Sequence, residues 1–182
     1  MILDRFAQEV RDLGPSCDLG CGPGEVARYL HRRQVDAFGI DLSPQMIEQA
    51  RRLTPEIDFR VGTMLALPDA DASWGSIAAF YSIIHIRREQ VGQALREMQR
   101  VLRPGGKLLL TFHIGSQVTH LDRWWDREVC VDFLFFQPKT MCAHLQAAGF
   151  DVLETIEREP YPPEVEAQTQ RAYILAQKPV DC

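Results

Sequence analysis

The chain has 182 residues, 46% of them hydrophobic, with a formal net charge of −5 and a pI near 5.5. That is the size of one domain, 1–182, with a sizeable core. No Lys/Arg run exceeds two residues, so the electrostatic footprint of a nucleic-acid binder is absent, and no apolar run approaches the ~20 residues of a membrane span.

Five cysteines, Cys17, Cys21, Cys130, Cys142 and Cys182, form no C-x-x-C pair. They read as reduced thiols of a cytoplasmic protein rather than a disulfide framework or metal site. The opening "MILDRFAQEVRDLGP" reads as an amphipathic helix stopped by Gly14-Pro15, not a targeting peptide.

Further along, strand-length apolar runs alternate with amphipathic helices. "SCDL" (16–19) reads as a strand and "GEVARYLHRR" (24–33) as a helix, followed by a strand in "VDAFGID" (35–41). "SPQMIEQARRL" (43–53) opens with a capping serine and a proline at the first helical position. "IDFRV" (57–61) and the nearly all-apolar "GSIAAFY" (75–81) supply two more strands. "REQVGQALREMQRVL" (88–102) reads as a helix closed by "RPGG", and "KLLLTFHI" (107–114) as strand five. A helix over 138–150 and strands over 151–157 and 171–178 complete the chain. Such alternation specifies βαβ units and a parallel sheet with helices on both faces. The proline-rich link between the last two strands is too irregular for a crossover helix, so the final strand is expected to return antiparallel.

The turn "CDLGCGPGEV" carries the chemistry. Gly20, Gly22 and Gly24 allow a sharp bend and a close approach of main chain to a ligand, beside the free N–H groups of the following helix. The spacing is G-x-G-x-G, and Pro23 removes an N–H that a pyrophosphate clamp would use. Both features argue against a nicotinamide oxidoreductase and for a nucleoside without phosphate. Asp41, ending strand two, can accept hydrogen bonds from both ribose hydroxyls, and Ser43 already fills the capping role.

"DLGCGPGEVARYL", "GIDLSPQMIEQAR", "VGTMLALPDADASWGSIAAFYSIIHI", "EMQRVLRPGGKLLLTF" and "LQAAGF", in this order, resemble the class I S-adenosylmethionine-dependent methyltransferases over nearly the whole chain. The resemblance implies a Rossmann-like three-layer αβα sandwich whose seven-stranded sheet has the order 3-2-1-4-5-7-6, with strand seven antiparallel. It implies S-adenosylmethionine as cofactor. Asp18, Gly20, Cys21, Gly22 and Gly24 would then lie around its methionine part, Asp41 on the ribose, and Leu42 and Met46 flanking the adenine. Gly62, Thr63 and Met64 would line the adenine edge; "GTM" replaces the acidic residue many relatives carry there. Tyr81 and Ser82 would sit near the amino group and reactive methyl.

The implied activity is methyl transfer to a small-molecule acceptor by in-line displacement, in a monomer or homodimer without nucleic-acid or membrane partners. His85 ("SIIHI") and His113 ("TFHIG"), at strand ends, are the candidate catalytic residues. Residues 118–136, with Trp124, Trp125, Phe133, Phe135 and Phe136, interrupt the alternation. They form either an aromatic wall of the acceptor pocket or a cover for the core or a dimer face, and "VDFLFF" could pair as an edge strand. Many family members carry an amino-terminal helix over the methionine carboxylate; here Ile2 to Val10 alone precedes the core. The cover is expected from elsewhere, or the start is shortened. A binding module that keeps the pocket without transfer is the alternative reading.

Overall fold

The computed structural model describes residues 2–124 and 127–180; Trp125 and Cys182 lie outside the described residues. The strands are β1 (Ser16–Leu19), β2 (Ala37–Asp41), β3 (Phe59–Val61), β4 (Trp74–Phe80), β5 (Leu102–His113), β6 (Val118–Trp124), β7 (Arg127–Leu134), β8 (Asp151–Arg158) and β9 (Arg171–Gln177). The helices are α1 (Ile2–Val10), α2 (Glu25–His31), α3 (Pro44–Leu53), α4 (Val91–Val101) and α5 (Pro138–Ala147). The main sheet runs β3-β2-β1-β4-β5-β9-β8, with β9 antiparallel to both its neighbours and the rest parallel. Once the inserted pair β6-β7 is set aside, this is the order the family resemblance implies, with the antiparallel last strand that the proline-rich link predicts.

Each helix buries one stripe. α4 presents Val91, Ala94, Leu95, Met98 and Val101, spaced three to four residues apart, to one face of the sheet, where α5 adds Met141 and Leu145. α1 lays Leu3, Phe6, Ala7 and Val10 on the opposite face, and α2 and α3 complete that layer through Leu30, Ala27, Ile47 and Ala50. Burying each larger side chain contributes roughly 1.5–3 kcal/mol. β1 and β4 are buried along nearly their whole length, as strands covered on both faces must be. No described helix is long and apolar enough to cross a membrane.

Two elements depart from the sequence reading. β5 starts at Leu102, not Lys107. "RPGG" is a bulge within it, so that Trp74 pairs Leu102 and Ser76 pairs Lys107 while residues 103–106 stand opposite Gly75. Of the two glycines in this bulge, Gly105 has φ +78°. Strands β6 (Val118–Trp124) and β7 (Arg127–Leu134) pair antiparallel in a separate sheet. "VDFLFF" therefore does not extend the main sheet. β6 supplies its partner strand, and at its root Phe136 donates its N–H to His113 O (3.0 Å) and Phe135 to Gln117 O (3.1 Å).

Candidate active site at the carboxyl edge of the sheet

The turn after β1 hangs from β2: Gly20 and Cys21 both donate their N–H to Ile40 O (2.7 and 3.1 Å). All three glycines have positive φ, but they serve different ends. A Cβ on Gly20 would lie 2.2 Å from Ser82 Cβ, so this glycine lets β1 and the end of β4 close together. A Cβ on Gly24 would strike the Phe59 ring at 2.6 Å, so its bareness serves packing and the entry into α2 rather than ligand contact. At Gly22 a Cβ would meet nothing within 4 Å, so the turn opens into free space there.

Two carboxylates flank the turn. Asp41 takes the Gly22 N–H on Oδ2 and the Ser43 N–H on Oδ1, both at 2.8 Å, and so ties the turn to the start of α3. Each oxygen retains a lone pair for a further donor. Ser43 itself caps α3 by accepting the Met46 N–H (3.3 Å). Asp18 is buried and accepts the Ala27 N–H (2.8 Å), supplying α2 with the cap that Gly24, lacking a side chain, cannot. Burial pushes its carboxyl up to about 7 despite that hydrogen bond. Cys21 is buried beside the turn, and desolvation holds its thiol protonated.

An apolar rim follows. Leu42 is 73% exposed, Val61 50% and Met46 43%, unusual for large hydrophobic side chains gathered around the ends of β2 and β3. Gly62 donates its N–H to Asp41 O (2.9 Å). The Thr63 hydroxyl accepts the Leu65 N–H (3.2 Å), and Met64 packs half-buried on the core.

At the end of β4, Tyr81 takes φ +55°, a left-handed conformation rare for a tyrosine, held by its N–H donating to Thr111 Oγ1 (2.9 Å). The bend brings its hydroxyl within 3.2 Å of the Tyr173 hydroxyl. Next to it, Ser82 Oγ is buried with no hydrogen-bond partner. His113 is stacked between Tyr81 (ring centroids 5.0 Å) and Phe135 (5.3 Å), with Nδ1 2.8 Å from Thr169 Oγ1. Partial burial, then the nearby Arg171 charge, lowers its pKa to about 4, so the imidazole is neutral at pH 7. His85 places Nδ1 3.1 Å from Asp132 O on the hairpin and packs edge-on against Phe133 (4.9 Å).

These features share one edge of a sheet whose order and antiparallel strand match a known architecture. Residues 17–106 fit the family model described as a methyltransferase domain. The 2-phytyl-1,4-naphtoquinone methyltransferase of Thermosynechococcus vestitus is 30% identical over 161 residues, covering 74% of this chain and 71% of that protein. The chain belongs to the class I S-adenosylmethionine-dependent methyltransferases. The malonyl-[acyl-carrier protein] O-methyltransferase of Pseudescherichia vulneris is 31% identical over 112 residues, 59% of this chain; the match spans only 42% of that relative's length. A crystal structure of an S-adenosylmethionine-dependent methyltransferase from Methanosarcina mazei shares the fold, with a TM-score of 0.84 over 97% of this chain and 98% of that one, at 17% identity.

The structure brings the glycine turn, Asp41 and Ser82 together, Asp41 bonded to Gly22 and Ser82 packed on Gly20, with Leu42 and Met46 exposed just beyond Asp41. Asp18 and Gly24 stand behind the turn as supports. Sequence reasoning missed Val61, whose exposure depends on the shortness of β3. It also missed Thr169, in the motif-free β8-β9 link, which meets His113, and Arg158, Arg171 and Tyr173 at the facing ends of β8 and β9, of which Arg171 and Tyr173 meet Tyr81 and Arg158 meets Tyr173.

Proposed function

We propose that this chain binds S-adenosylmethionine in the crevice between the glycine turn and Asp41 and transfers its methyl group to a small-molecule acceptor. The observation that carries this reading is the open space over Gly22 with the Asp41 carboxylate fixed across it. The residues suit that cofactor chemically. Asp41 has lone pairs left for two ribose hydroxyls, and the Leu42, Met46 and Val61 rim offers apolar contact to a purine. Ser82 Oγ, buried without a partner, would gain one in the methionine amino or carboxyl group; Tyr81, the main chain of Gly20, Cys21 and Gly22, and Gly62, Thr63 and Met64 complete the enclosure. Asp18 and Gly24 act one step removed, by fixing α2.

The bound cofactor supplies a methyl already activated on a sulfonium, so the protein's task is alignment and exclusion of water. Orientation of this kind contributes up to ~7–11 kcal/mol. The Tyr81–His113–Phe135 stack would form the floor beside the methyl, and the hairpin root with Phe133 and His85 a wall. His113, with a pKa of about 4, is a weak base at neutral pH. It serves to orient an acceptor through Nε2 rather than to strip a firmly held proton.

The names of the two relatives carry a naphtoquinone and a malonyl group. Small carbon skeletons of those kinds are the first acceptors to try. The test is incubation with methyl-tritiated S-adenosylmethionine and pooled acceptors. Label in an organic-extractable product with equimolar S-adenosylhomocysteine is the expected result. Tight cofactor binding with no label transferred to any pool would overturn transfer and leave the binding-module reading.

A further inference from the structure

The edge opposite the glycine turn holds an unbalanced charge. Arg158, at the end of β8, makes a two-pronged ion pair with Glu166 (2.5 and 3.0 Å), and Arg171, at the start of β9, places Nε 3.0 Å from the same carboxylate. Among the described residues Glu166 is the one carboxylate within ion-pair distance of either guanidinium. Nearby Glu159 instead accepts from the Gln170 side chain. Two positive charges thus share one negative charge, although the Arg171 side chain is only 7% exposed. The Arg171 Nε–H makes no hydrogen bond: it is close to Glu166 Oε2 without being directed at it. The faces of Tyr81 (5.2 Å from the Arg171 guanidinium) and Tyr161 (4.1 Å from that of Arg158) offset part of the cost. A buried cation short of one counter-charge is still expensive, and proteins tolerate it mainly where function requires it.

The cluster is joined to the acceptor side of the site. Arg158 Nε donates to the Tyr173 hydroxyl (3.0 Å), which lies 3.2 Å from that of Tyr81. Glu166 also accepts the Tyr161 N–H (2.6 Å), pinning the link whose Thr169 holds His113. Burial pushes the Tyr81 hydroxyl up, so it supplies no negative charge.

We propose that Arg158 and Arg171, with Tyr81, form a subsite for a carboxylate group on the methyl acceptor, against the aromatic wall of His113 and Phe135. This rests on the methyltransferase reading only in calling the ligand an acceptor. The missing counter-charge is then supplied by the substrate, and a planar acid is favoured by the stacked rings. Benzoate and benzamide, of one shape and differing in charge, are the probes. Each is titrated into the intact protein with and without saturating S-adenosylhomocysteine. Benzoate should bind about tenfold or more tightly than benzamide, and Arg158→Gln should erase that preference. Arg158 is chosen because it is the more exposed of the pair; an unchanged melting temperature checks its fold, and Arg158→Lys, which keeps the charge, should retain part of the preference. Equal affinity for the two probes, binding of neither, or a preference that survives in Arg158→Gln would overturn the subsite. Failure of S-adenosylhomocysteine to bind, with the benzoate preference intact, would instead overturn the cofactor reading alone.

Discussion

The two ends of the carboxyl edge are built differently. On the β1-β2 side, main chain does the holding: Gly20, Cys21 and Gly22 donate N–H groups to Ile40 and Asp41, residues next to one another in sequence. On the β5-β9-β8 side, side chains reach across long stretches of sequence, Tyr81 to Tyr173 and His113 to Thr169. Main-chain scaffolds leave little freedom of residue choice beyond glycine and one acid, whereas side-chain networks can be rebuilt while the sheet stays the same. The first end thus suits a constant ligand and the second a variable one.

Substitutions can break this comparison. The largest effect is expected at Gly20. Gly20→Val drives a Cβ into Ser82 at positive φ and should destabilise the fold by about 3 kcal/mol or more, read by chemical denaturation. Gly22→Val meets open space and carries only the backbone strain of φ +51°, without the clash; it should cost less stability than Gly20→Val while removing cofactor binding in calorimetry. If the two variants lose stability equally, the division of roles between the glycines is wrong.

On the other side, Glu166→Gln should cost about 1.5–3 kcal/mol of stability with cofactor affinity unchanged, since it leaves two guanidinium groups facing each other. Its arginine partners hold the Glu166 carboxyl down at about 2, against 4.5 ordinarily. The unfolded chain therefore takes up this proton first, and the contribution should fade as pH falls from about 4.5 through 2. Ser82→Ala should leave stability unchanged or slightly raised, because the hydroxyl has no partner to lose, yet weaken cofactor binding by about 1 kcal/mol.

The effect at His113 is confined to acid pH. Its folded pKa of about 4 lies below the ordinary 6.5, so the unfolded chain binds the proton first as pH drops. Stability carried by the neutral ring is complete above 6.5 and drains away toward 4. His113→Gln should flatten that slope in pH-dependent melting; an unchanged slope would show that the ring is not desolvated as described.

The same contrast explains what could be read in the sequence. The βαβ alternation and the glycine-acid pair were legible because periodicity and local motifs encode them, while the strand order came with the family resemblance: Asp41 follows β2 directly, and Ser43-Pro44 announces α3. Asp18 looked like a ligand contact, but the cap role emerges only once α2 is seen to start at a glycine. The "RPGG" bulge read as a turn, since Pro-Gly-Gly looks alike whether the chain reverses or resumes its strand. The hairpin was visible as an interruption, but not its pairing: "VDFLFF" suits any strand neighbour, and β6 carries no strong strand signal. Arg171 stood in a strand pattern with nothing to mark it as buried, and its partner Glu166 lies in a link without periodicity.

The Asp41 carboxylate braces the turn through the Gly22 and Ser43 N–H groups and is the proposed ribose acceptor. Titration calorimetry of S-adenosylhomocysteine into the wild-type chain and Asp41→Ala tests this role most directly. One site per chain, weakened by about 1.5–3 kcal/mol in the variant, is the result the account predicts. Absence of binding to the wild-type chain, or equal affinity in both proteins, would contradict it.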